Sequence, residues 1–364
     1  MTREALDNDD WRELIERLGG IAAVEASARA TKAFLRPREI ASAADLLRLV
    51  LAYCMGASGL RSTAAWAASV GLADMSNVAV LYRLRQCGDW LAVLIGRVIG
   101  SAAPEAVGGR LLRLVDGTTV PQAGPAARRD NKLWRIHSAF DVPSERFGFF
   151  ELTDQREGER FDRAPVVKGE IRMGDRVYLQ PDRIAAVIEA GGDVVVRAGW
   201  KGACWLDADG TPFDLIAALR GADALIDRPI WLERKHGPAL GLRLVAVRKP
   251  AAAAEAARRK ARRDAQREGY QVSKATLLAA EWVILVTSLD RESFAAEDVL
   301  ALYRLRWRIE LAFKRLKSLI GLRGPPGIDE RSARPYVLAH LLMILLLEPL
   351  VDELEDSPRL AIAA

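Results

Sequence analysis

The stretch that decides the fold occupies residues 303–317 and reads Tyr303-Arg304-Leu305-Arg306-Trp307-Arg308-Ile309-Glu310-Leu311-Ala312-Phe313-Lys314-Arg315-Leu316-Lys317. It contains one acid, Glu310, among six lysines and arginines. If the stretch is a helix, with 100° of turn per residue, the residues that fall within roughly 80° of one another are Tyr303, Arg306, Glu310, Lys314 and Lys317. One interpretation is a solvated helix with Glu–Lys pairs. The other is a carboxylate that holds a metal ion beside a polyanion.

Composition narrows the classes of protein that this chain can form. The 364 residues are half apolar and carry a net charge of +5, which predicts two or three domains and is compatible with a nucleic-acid partner. The three cysteines and three histidines lack the spacing of a disulfide framework or a metal cage. The N-terminal residues contain no apolar signal segment, and the apolar run 337–347 is too short to span a bilayer. We therefore expect a cytoplasmic protein without a membrane partner.

Residues 10 to about 100 have the pattern of short helices. Ser42 is a candidate N-cap with Asp45 at the third helical position, and Ser76 followed by Asn77 marks another helix start. Glycines at 56, 59 and 71 separate the helices. Short helices joined by glycine turns resemble a helix-turn-helix bundle and favour DNA binding. An ordinary helical bundle without DNA contact is the alternative.

From residue 108 onward, the pattern changes to alternating strands and helices, which predicts an α/β sheet. The predicted strands are 111–115, 133–140, 149–153, 177–179, Asp193–Arg197, 229–233, 242–247 and 281–288. A helix is expected at 183–190, and a strongly basic one at Ala251–Arg267. A basic helix of this kind is either a solvated face or a nucleic-acid contact.

Three acids are candidates for one metal site. Asp116 and Asp182 follow predicted strands, and Glu310 lies on the helix predicted at 303–317. Such acids converge at the strand-end edge of an α/β sheet. Three carboxylates suit Mg²⁺, which prefers oxygen ligands. Asp175 and Asp162 compete for the second position. Asp182 is preferred because Asp175 precedes the strand predicted at 177–179, and because Asp162 lies in a charged loop.

These residues resemble a known family. Tyr303, Arg306, Glu310 and Lys317 match the pattern Tyr-x2-Arg-x3-Glu-x6-Lys, the signature of the insertion-sequence-four family of cut-and-paste transposases. The resemblance extends over roughly residues 20 to 350. Its other blocks are 114–119, 134–137, 158–163, and 174–177 followed by Asp182 and Arg183.

The resemblance implies a fold and a division into domains. The expected class is α/β: a ribonuclease-H-like catalytic core with a mainly β insertion, preceded by an all-helical N-terminal domain. The expected ranges are 1–105 for the helical DNA-binding domain, 106–197 for the first part of the core, 198–290 for the insertion with the basic helix, and 291–364 for the second part of the core.

The resemblance also implies a set of site residues. Asp116, Asp182 and Glu310 would be the catalytic and metal-binding triad, with Mg²⁺ as the ion and Mn²⁺ as its substitute. The residues that would contact DNA phosphates near the cleaved end are Tyr303, Arg306, Lys314 and Lys317. Trp282 would stack in a hairpinned DNA end; a core residue on a strand is the alternative for this Trp.

The implied activity is cut-and-paste transposition. The chain would bind terminal inverted repeats, cleave double-stranded DNA, form a hairpin and join the ends to target DNA, as a homodimer on the DNA. The residues after Asp182 depart from the family pattern, which has Gly and Tyr at the positions of Ile184 and Ala185. Two alternatives are therefore a transposase-derived DNA-binding protein without catalysis, and a metal-dependent nuclease that cannot join ends.

Overall fold

The computed structural model describes residues 9–56, 59–101, 110–122, 132–142, 146–306, 325 and 329–355. Its centre is a nine-stranded mixed sheet with the strand order β3-β2-β1-β4-β5-β9-β8-β7-β6. Helices from the first hundred residues, from the middle of the chain and from its end pack against this sheet. The chain is therefore a mixed α/β protein, as the sequence predicts.

The elements have the following bounds. The helices are α1 (Asp9–Arg17), α2 (Gly20–Ala30), α3 (Ala43–Met55), α4 (Leu60–Ser69), α5 (Asn77–Gln86), α6 (Gly88–Ser101), α7 (Pro181–Glu189), α8 (Leu215–Gly221), α9 (Ala251–Arg267), α10 (Lys274–Ala280), α11 (Ala296–Arg304) and α12 (Glu330–Glu355). The strands are β1 (Leu112–Pro121), β2 (Leu133–Asp141), β3 (Arg146–Asp154), β4 (Ile171–Gly174), β5 (Asp193–Arg197), β6 (Trp205–Leu206), β7 (Leu225–Leu232), β8 (Leu240–Arg248) and β9 (Trp282–Thr287).

The described part of the first 101 residues is helical and contains no strand. Both predicted caps are present. Ser42 Oγ accepts a hydrogen bond from the backbone N–H of Asp45 at 3.0 Å, and Ser76 Oγ accepts one from Ala79 at 3.2 Å. Each cap satisfies one of the N–H groups that the first turn of a helix leaves without a partner.

The first five strands set the geometry of the sheet. β1, β2 and β3 form an antiparallel ladder, and β4 and β5 add to β1 as parallel strands. β4 is short and pairs with only three residues of β1, the last pair being Leu114 with Met173. β1 continues to Pro121 beside β2. From Val115 onward, the β4 side of β1 therefore has no strand from the described part of the chain beside it.

The insertion extends this same sheet. β9 pairs antiparallel with β5, and β8, β7 and β6 follow in turn. β5 and α9 have the bounds that the sequence predicted, and β9 is one residue shorter at each end than predicted. The expectation of a mainly β insertion is wrong, because three helices, α8, α9 and α10, accompany its four strands. Leu215, Leu219 and Ala279 of these helices are buried against the sheet, which explains why the helices form.

Each face of the sheet has its own hydrophobic core, because successive side chains of a strand point to opposite faces. Leu114, Val195 and Leu285 belong to the first core, on the face that α1–α6 and α12 cover. Val115, Val196 and Ile284 belong to the second core, on the face of α7, α8 and α10. The core to which a strand residue belongs therefore identifies the face to which it points.

The N-terminal helices and the C-terminal helix α12 share the first core. Polar contacts also join them: Arg17 Nη1 donates to the carbonyl oxygen of Leu346 at 3.2 Å, and Arg85 Nε donates to Ser332 Oγ at 3.0 Å. The apolar run 337–347 lies within α12 as a buried core helix. Among the described residues, no helix is both long enough and apolar enough to cross a membrane.

Because α12 completes the core of the N-terminal helices, we predict that Leu341→Ala lowers the free energy of unfolding by about 2–5 kcal/mol. Leu341 has no exposed surface. The control is Leu347→Ala on the same helix, where 37% of the residue is exposed and the loss should stay below about 1 kcal/mol. Urea unfolding followed by circular dichroism measures both. Equal losses at the two positions would contradict the shared core.

Candidate active site

Two acids meet where β4 ends beside β1. The parallel register pairs Leu112 with Ile171 and Leu114 with Met173, so its continuation by two residues places Asp116 beside Asp175. Asp116 is two residues after Leu114, and Asp175 is two residues after Met173, both of which belong to the first core. Because side chains alternate between the faces, both acids point to the same face of the sheet. The negative charge of Asp175 contributes to the raised pKa of Asp116, which agrees with this placement.

The prediction that Asp175 precedes a strand, which was the reason for preferring Asp182, was wrong. The strand is Ile171–Gly174, and Asp175 comes directly after it, whereas Arg176–Tyr178 forms a 3-10 turn. Asp175 caps that turn by accepting a hydrogen bond from the N–H of Val177 at 2.9 Å. A Cβ atom on Gly174 would lie 2.9 Å from the side chains of Phe161 and Tyr178, so a larger residue would disturb the end of the strand.

The structure does not bring Asp182 to this edge. Asp182 lies in the first turn of α7, and its carboxylate accepts hydrogen bonds from the backbone N–H groups of Lys235 and His236 at 3.2 and 3.1 Å. Desolvation raises the pKa of Asp182, but these hydrogen bonds and one from Arg234 outweigh it and lower the pKa. The carboxylate of Asp182 joins α7 to the segment after β7, which is a structural contact.

The other competing acid, Asp162, is also engaged elsewhere. Its carboxylate forms ion pairs with Arg160 at 3.1 Å and with Arg183 at 3.0 Å. Asp162 therefore links its own loop to α7.

Asp116 lies in an environment that opposes its ionisation. The pKa of Asp116 is raised to about 7, and burial is the main cause. The N–H of Gly117, 2.8 Å from Oδ1, opposes the rise, whereas the charges of Asp175 and Glu159 add to it. The charge of Arg306 acts in the opposite direction and lowers the pKa. A cation bound beside Asp116 would stabilise the carboxylate that burial and the neighbouring acids destabilise.

A third acid near Asp116 is Glu159, which the sequence analysis quoted within the block 158–163 without assigning it a role. A Cβ atom on Gly117 would lie 2.8 Å from Glu159 Oε1, so this glycine lets the carboxylate approach β1. Burial raises the pKa of Glu159; the charge of Arg135, 3.6 Å away, and a hydrogen bond with Tyr178 oppose the rise.

The buried guanidinium of Arg172 holds the loop that carries Glu159. Its Nη1 donates to the carbonyl oxygens of Phe161 and Ala164, both at 2.9 Å, and its Nη2 donates to that of Pro165 at 3.0 Å. Its Nε donates to the carboxylate of Glu170 at 2.6 Å. A buried ion pair whose guanidinium also donates to three carbonyls fixes the path of the loop.

The basic stretch is not a single helix beginning at Tyr303. Tyr303 lies in the last turn of α11, which begins at Ala296, and residues 305 and 306 continue as a tighter turn in which Arg306 N–H donates to the carbonyl of Tyr303 at 3.1 Å. Burial raises the pKa of Tyr303, and the charges of Arg197 and Arg306 oppose it. The charge of Asp175 also raises the pKa of Tyr303, and that of Arg306 lowers the pKa of Asp116, so both residues lie near the acids. Glu310, Lys314 and Lys317 are outside the described residues.

Trp282 is the first residue of β9 and is 1% exposed. It belongs to the second core, whereas Asp116 and Asp175 point to the face of the first core. The guanidinium of Arg248 lies over its ring, 5.9 Å from the centroid. This placement favours the core alternative, because an aromatic ring must be accessible before a DNA base can stack on it.

Two of the described residues are candidate ligands for a divalent cation. Asp116 and Asp175 provide carboxylate oxygens side by side, which fits a hard divalent cation. No group of three metal-binding side chains is found within the described ranges, so a further ligand has to come from elsewhere. The chemistry that two such carboxylates support, with a third acid, is metal-assisted attack on a phosphodiester.

Comparison with known proteins bears on this chemistry. The sequence profile of a family described as Transposase DDE domain matches residues 108–346. The putative transposases InsL for insertion sequence elements IS186A and IS186B of Escherichia coli (strain K12) are each 36% identical over 360 residues, covering 96% of this chain and 96% of theirs. The transposase for insertion sequence element IS421 of Escherichia coli is 37% identical over 361 residues, with the same coverage.

The raised pKa of Asp116 predicts how stability changes with pH in the absence of divalent cations. The folded protein binds this proton more tightly than the unfolded chain, so the stabilising contribution is complete below about pH 4 and is lost as the pH rises to about 7. Asp116→Asn removes the titration. The variant should therefore gain stability relative to the wild type across this range, by of the order of 3 kcal/mol.

The matched control is Asp182→Asn, for which the sign is reversed. The pKa of Asp182 is lowered in the folded protein, so its contribution is present at neutral pH and is lost as the pH falls through the folded pKa. This variant should be less stable than the wild type at neutral pH and should match it in acid. Urea unfolding at several pH values measures both differences; parallel curves for the two variants would contradict the assignment.

Proposed function

Because this chain belongs to the transposase DDE-domain family, we propose that it cuts and joins DNA at the ends of its own insertion sequence with Asp116, Asp175 and Glu310 as the acidic triad. The finer assignment is to the insertion-sequence-four group, whose signature the stretch 303–317 matches. The observation that carries the proposal is the meeting of Asp116 and Asp175 on one face, where β4 ends beside β1.

The topology supports a ribonuclease-H-like core. Three antiparallel strands followed by two parallel strands, in the order β3-β2-β1-β4-β5, place the first acid within β1 and the second directly after β4. The insertion then leads from β5 to β9 and α11, after which Glu310 follows in the sequence. In this proposal Asp175 takes the role that the sequence analysis gave to Asp182.

The residues of the chain prepare the site for a divalent cation, for which we propose Mg²⁺, with Mn²⁺ as a substitute. Bound there, the metal would polarise a phosphodiester and activate an attacking oxygen. Asp116 and Asp175 would hold it, and Arg306, whose charge reaches Asp116, would contact a DNA phosphate. Glu159 and Tyr178 orient the neighbouring loop, and their hydrogen bond helps to keep Glu159 ionised.

The proposed partner is double-stranded DNA: terminal inverted repeats first, then target DNA. We propose that the helical region α1–α6 recognises the repeats, that two chains act together on the DNA, and that the protein works in the cytoplasm at the nucleoid. Tyr303, Arg306, Lys314 and Lys317 would contact phosphates at the cleaved end. Hairpin formation is part of the proposal on the family resemblance alone, and the buried Trp282 contributes nothing to its support.

The decisive test compares two aspartates. Asp175→Asn should reduce Mg²⁺-dependent cleavage of DNA from the end of the element by more than about 100-fold, because even the hydrogen-bond partners of metal ligands contribute 10–100-fold. Asp182→Asn should cut at a rate within a few-fold of the wild type. Both variants should still bind the DNA, which gel shift without divalent cations measures alongside gel-based cleavage.

The reverse pattern, with an inactive Asp182→Asn and an active Asp175→Asn, would refute the choice of the second acid. A wild-type protein that binds the ends and never cuts them would identify a DNA-binding regulator. Cutting without joining in a strand-transfer assay would identify a nuclease.

A further inference from the structure

Strands that point in the same direction present their C-terminal ends at one edge of the sheet. β1, β4 and β5 are parallel to one another, β9 is antiparallel to β5, and β8 is antiparallel to β9. β8 therefore runs in the same direction as β1. The residue at the C-terminal end of β5 is Arg197, and the residue directly after β8 is Lys249. Both lie at the edge that holds Asp116 and Asp175.

Face and edge together place these cations on the same side as the acids. Val195 of β5 and Val245 of β8 belong to the first core. Arg197 is two residues after Val195, and Lys249 is four residues after Val245. Because side chains alternate between the two faces, both positions belong to the face of the first core. Arg176, which follows Asp175 directly, lies at this edge as well.

The three cations are close enough to repel one another. Burial, together with the charges of Arg197 and Arg176, lowers the pKa of Lys249 to about 8. A large part of the Arg176 residue remains accessible to solvent. Positive charges held together in this way are stabilised by an anion placed among them.

The described residues do not supply that anion as a paired carboxylate. None of the three cations forms an ion pair with an acid in the described ranges, and Arg197 Nε has no hydrogen-bond partner there. An acid near Lys249 in the fold is Glu281, which follows Ala280, the residue whose carbonyl accepts from Lys249 Nζ. The carboxylate of Glu281 is already bound by Arg248 and Arg258, at 3.1 and 2.6 Å. Lys249 itself is held in place because Nζ donates to the carbonyl oxygen of Ala280 at 2.6 Å.

We propose that Arg176, Arg197 and Lys249 form a phosphate-binding site for the DNA backbone beside the acidic pair, and that Lys249 is the contribution of the insertion to it. The inference rests on the proposed function, because it identifies where that function holds its substrate. The site lies next to Tyr303 and Arg306, since the charge of Arg197 acts on Tyr303. One row of cations therefore runs from α11 across β5 to the end of β8.

The geometry gives the insertion a role in substrate binding. Its strands continue the sheet of the core without interruption, so the end of β8 has a fixed position relative to Asp175. A phosphodiester that bridges Lys249 and Arg197 would be held along the strand-end edge, with its neighbouring phosphate reaching the two acids. Because lysine binds phosphate as a point charge, the position tolerates arginine but not a neutral residue.

The test uses the full-length protein and a fluorescent duplex with the sequence of the DNA that flanks the reading frame, without divalent cations so that no strand is cut. Lys249→Gln should weaken binding by about 10-fold or more, because one charge-assisted contact is lost. The slope of log K against log salt should become shallower by about 0.9. Lys249→Arg should keep affinity and slope near the wild-type values.

The matched control is Lys168→Gln. Lys168 is an exposed lysine three residues before β4, at the opposite end of the parallel strands, so its loss should leave affinity and slope unchanged. Thermal melting of the variants should show that Lys249→Gln remains folded. If Lys249→Gln folds and binds like the wild type, the site is refuted. The site is refuted equally if Lys249→Arg loses as much affinity as Lys249→Gln.

The same samples separate this inference from the proposed function. With Mg²⁺ added, cleavage of the duplex by the wild-type protein supports the proposed function whatever the outcome for Lys249. If the wild-type protein shows no affinity for the duplex, the proposed function fails, and this site fails with it. Normal wild-type binding and cleavage, together with unchanged binding by Lys249→Gln, would overturn the phosphate site alone.

Discussion

The parallel pairing of β1 with β4, and the difference in their lengths, is the constraint on which the rest of the site depends. β4 stops after four residues at Gly174, while β1 continues to Pro121 beside β2. The step between the two strands opens one side of β1 at the position of Asp116 and places Asp175 next to it. Gly174 makes the step possible, since Phe161 and Tyr178 occupy the space that a side chain would need. Arg172 then fixes the loop that brings Glu159 to the same place.

Much of the fold could be predicted from local sequence, because β5, β9 and α9 are continuous in pattern and the caps at Ser42 and Ser76 are local contacts. The second acid could not. β4 contains Arg172, and a charged residue in a four-residue strand conceals the strand; the burial of Arg172 depends on Glu170 and on carbonyl groups of the loop that precedes β4. The apolar triplet 177–179 looked more like a strand, but its first two residues belong to the 3-10 turn that Asp175 caps.

The insertion illustrates a second limit of sequence reasoning. The strand containing Trp282 was predicted to within one residue at each end, yet the face to which the ring points depends on the pairing of β9 with both β5 and β8. Because of that pairing, the side chain of Trp282 points to the second core and that of Leu285 points to the first. It also makes the insertion part of one rigid sheet with the acids. A residue more than seventy positions after Asp175, Lys249, can therefore lie at the same edge.

The core that α12 shares with the N-terminal helices has a consequence for synthesis of the chain. A ribosome adds about 5–20 residues per second, and domains usually fold as they emerge, beginning at the N-terminus. Here Leu341 and its neighbours, which cover the helices of the first hundred residues, leave the ribosome among the last. The apolar side chains of the first helices therefore stay incompletely buried until α12 has been synthesised. An incomplete chain, such as one from an interrupted message, lacks the residues that complete this core, so its N-terminal helices expose apolar surface.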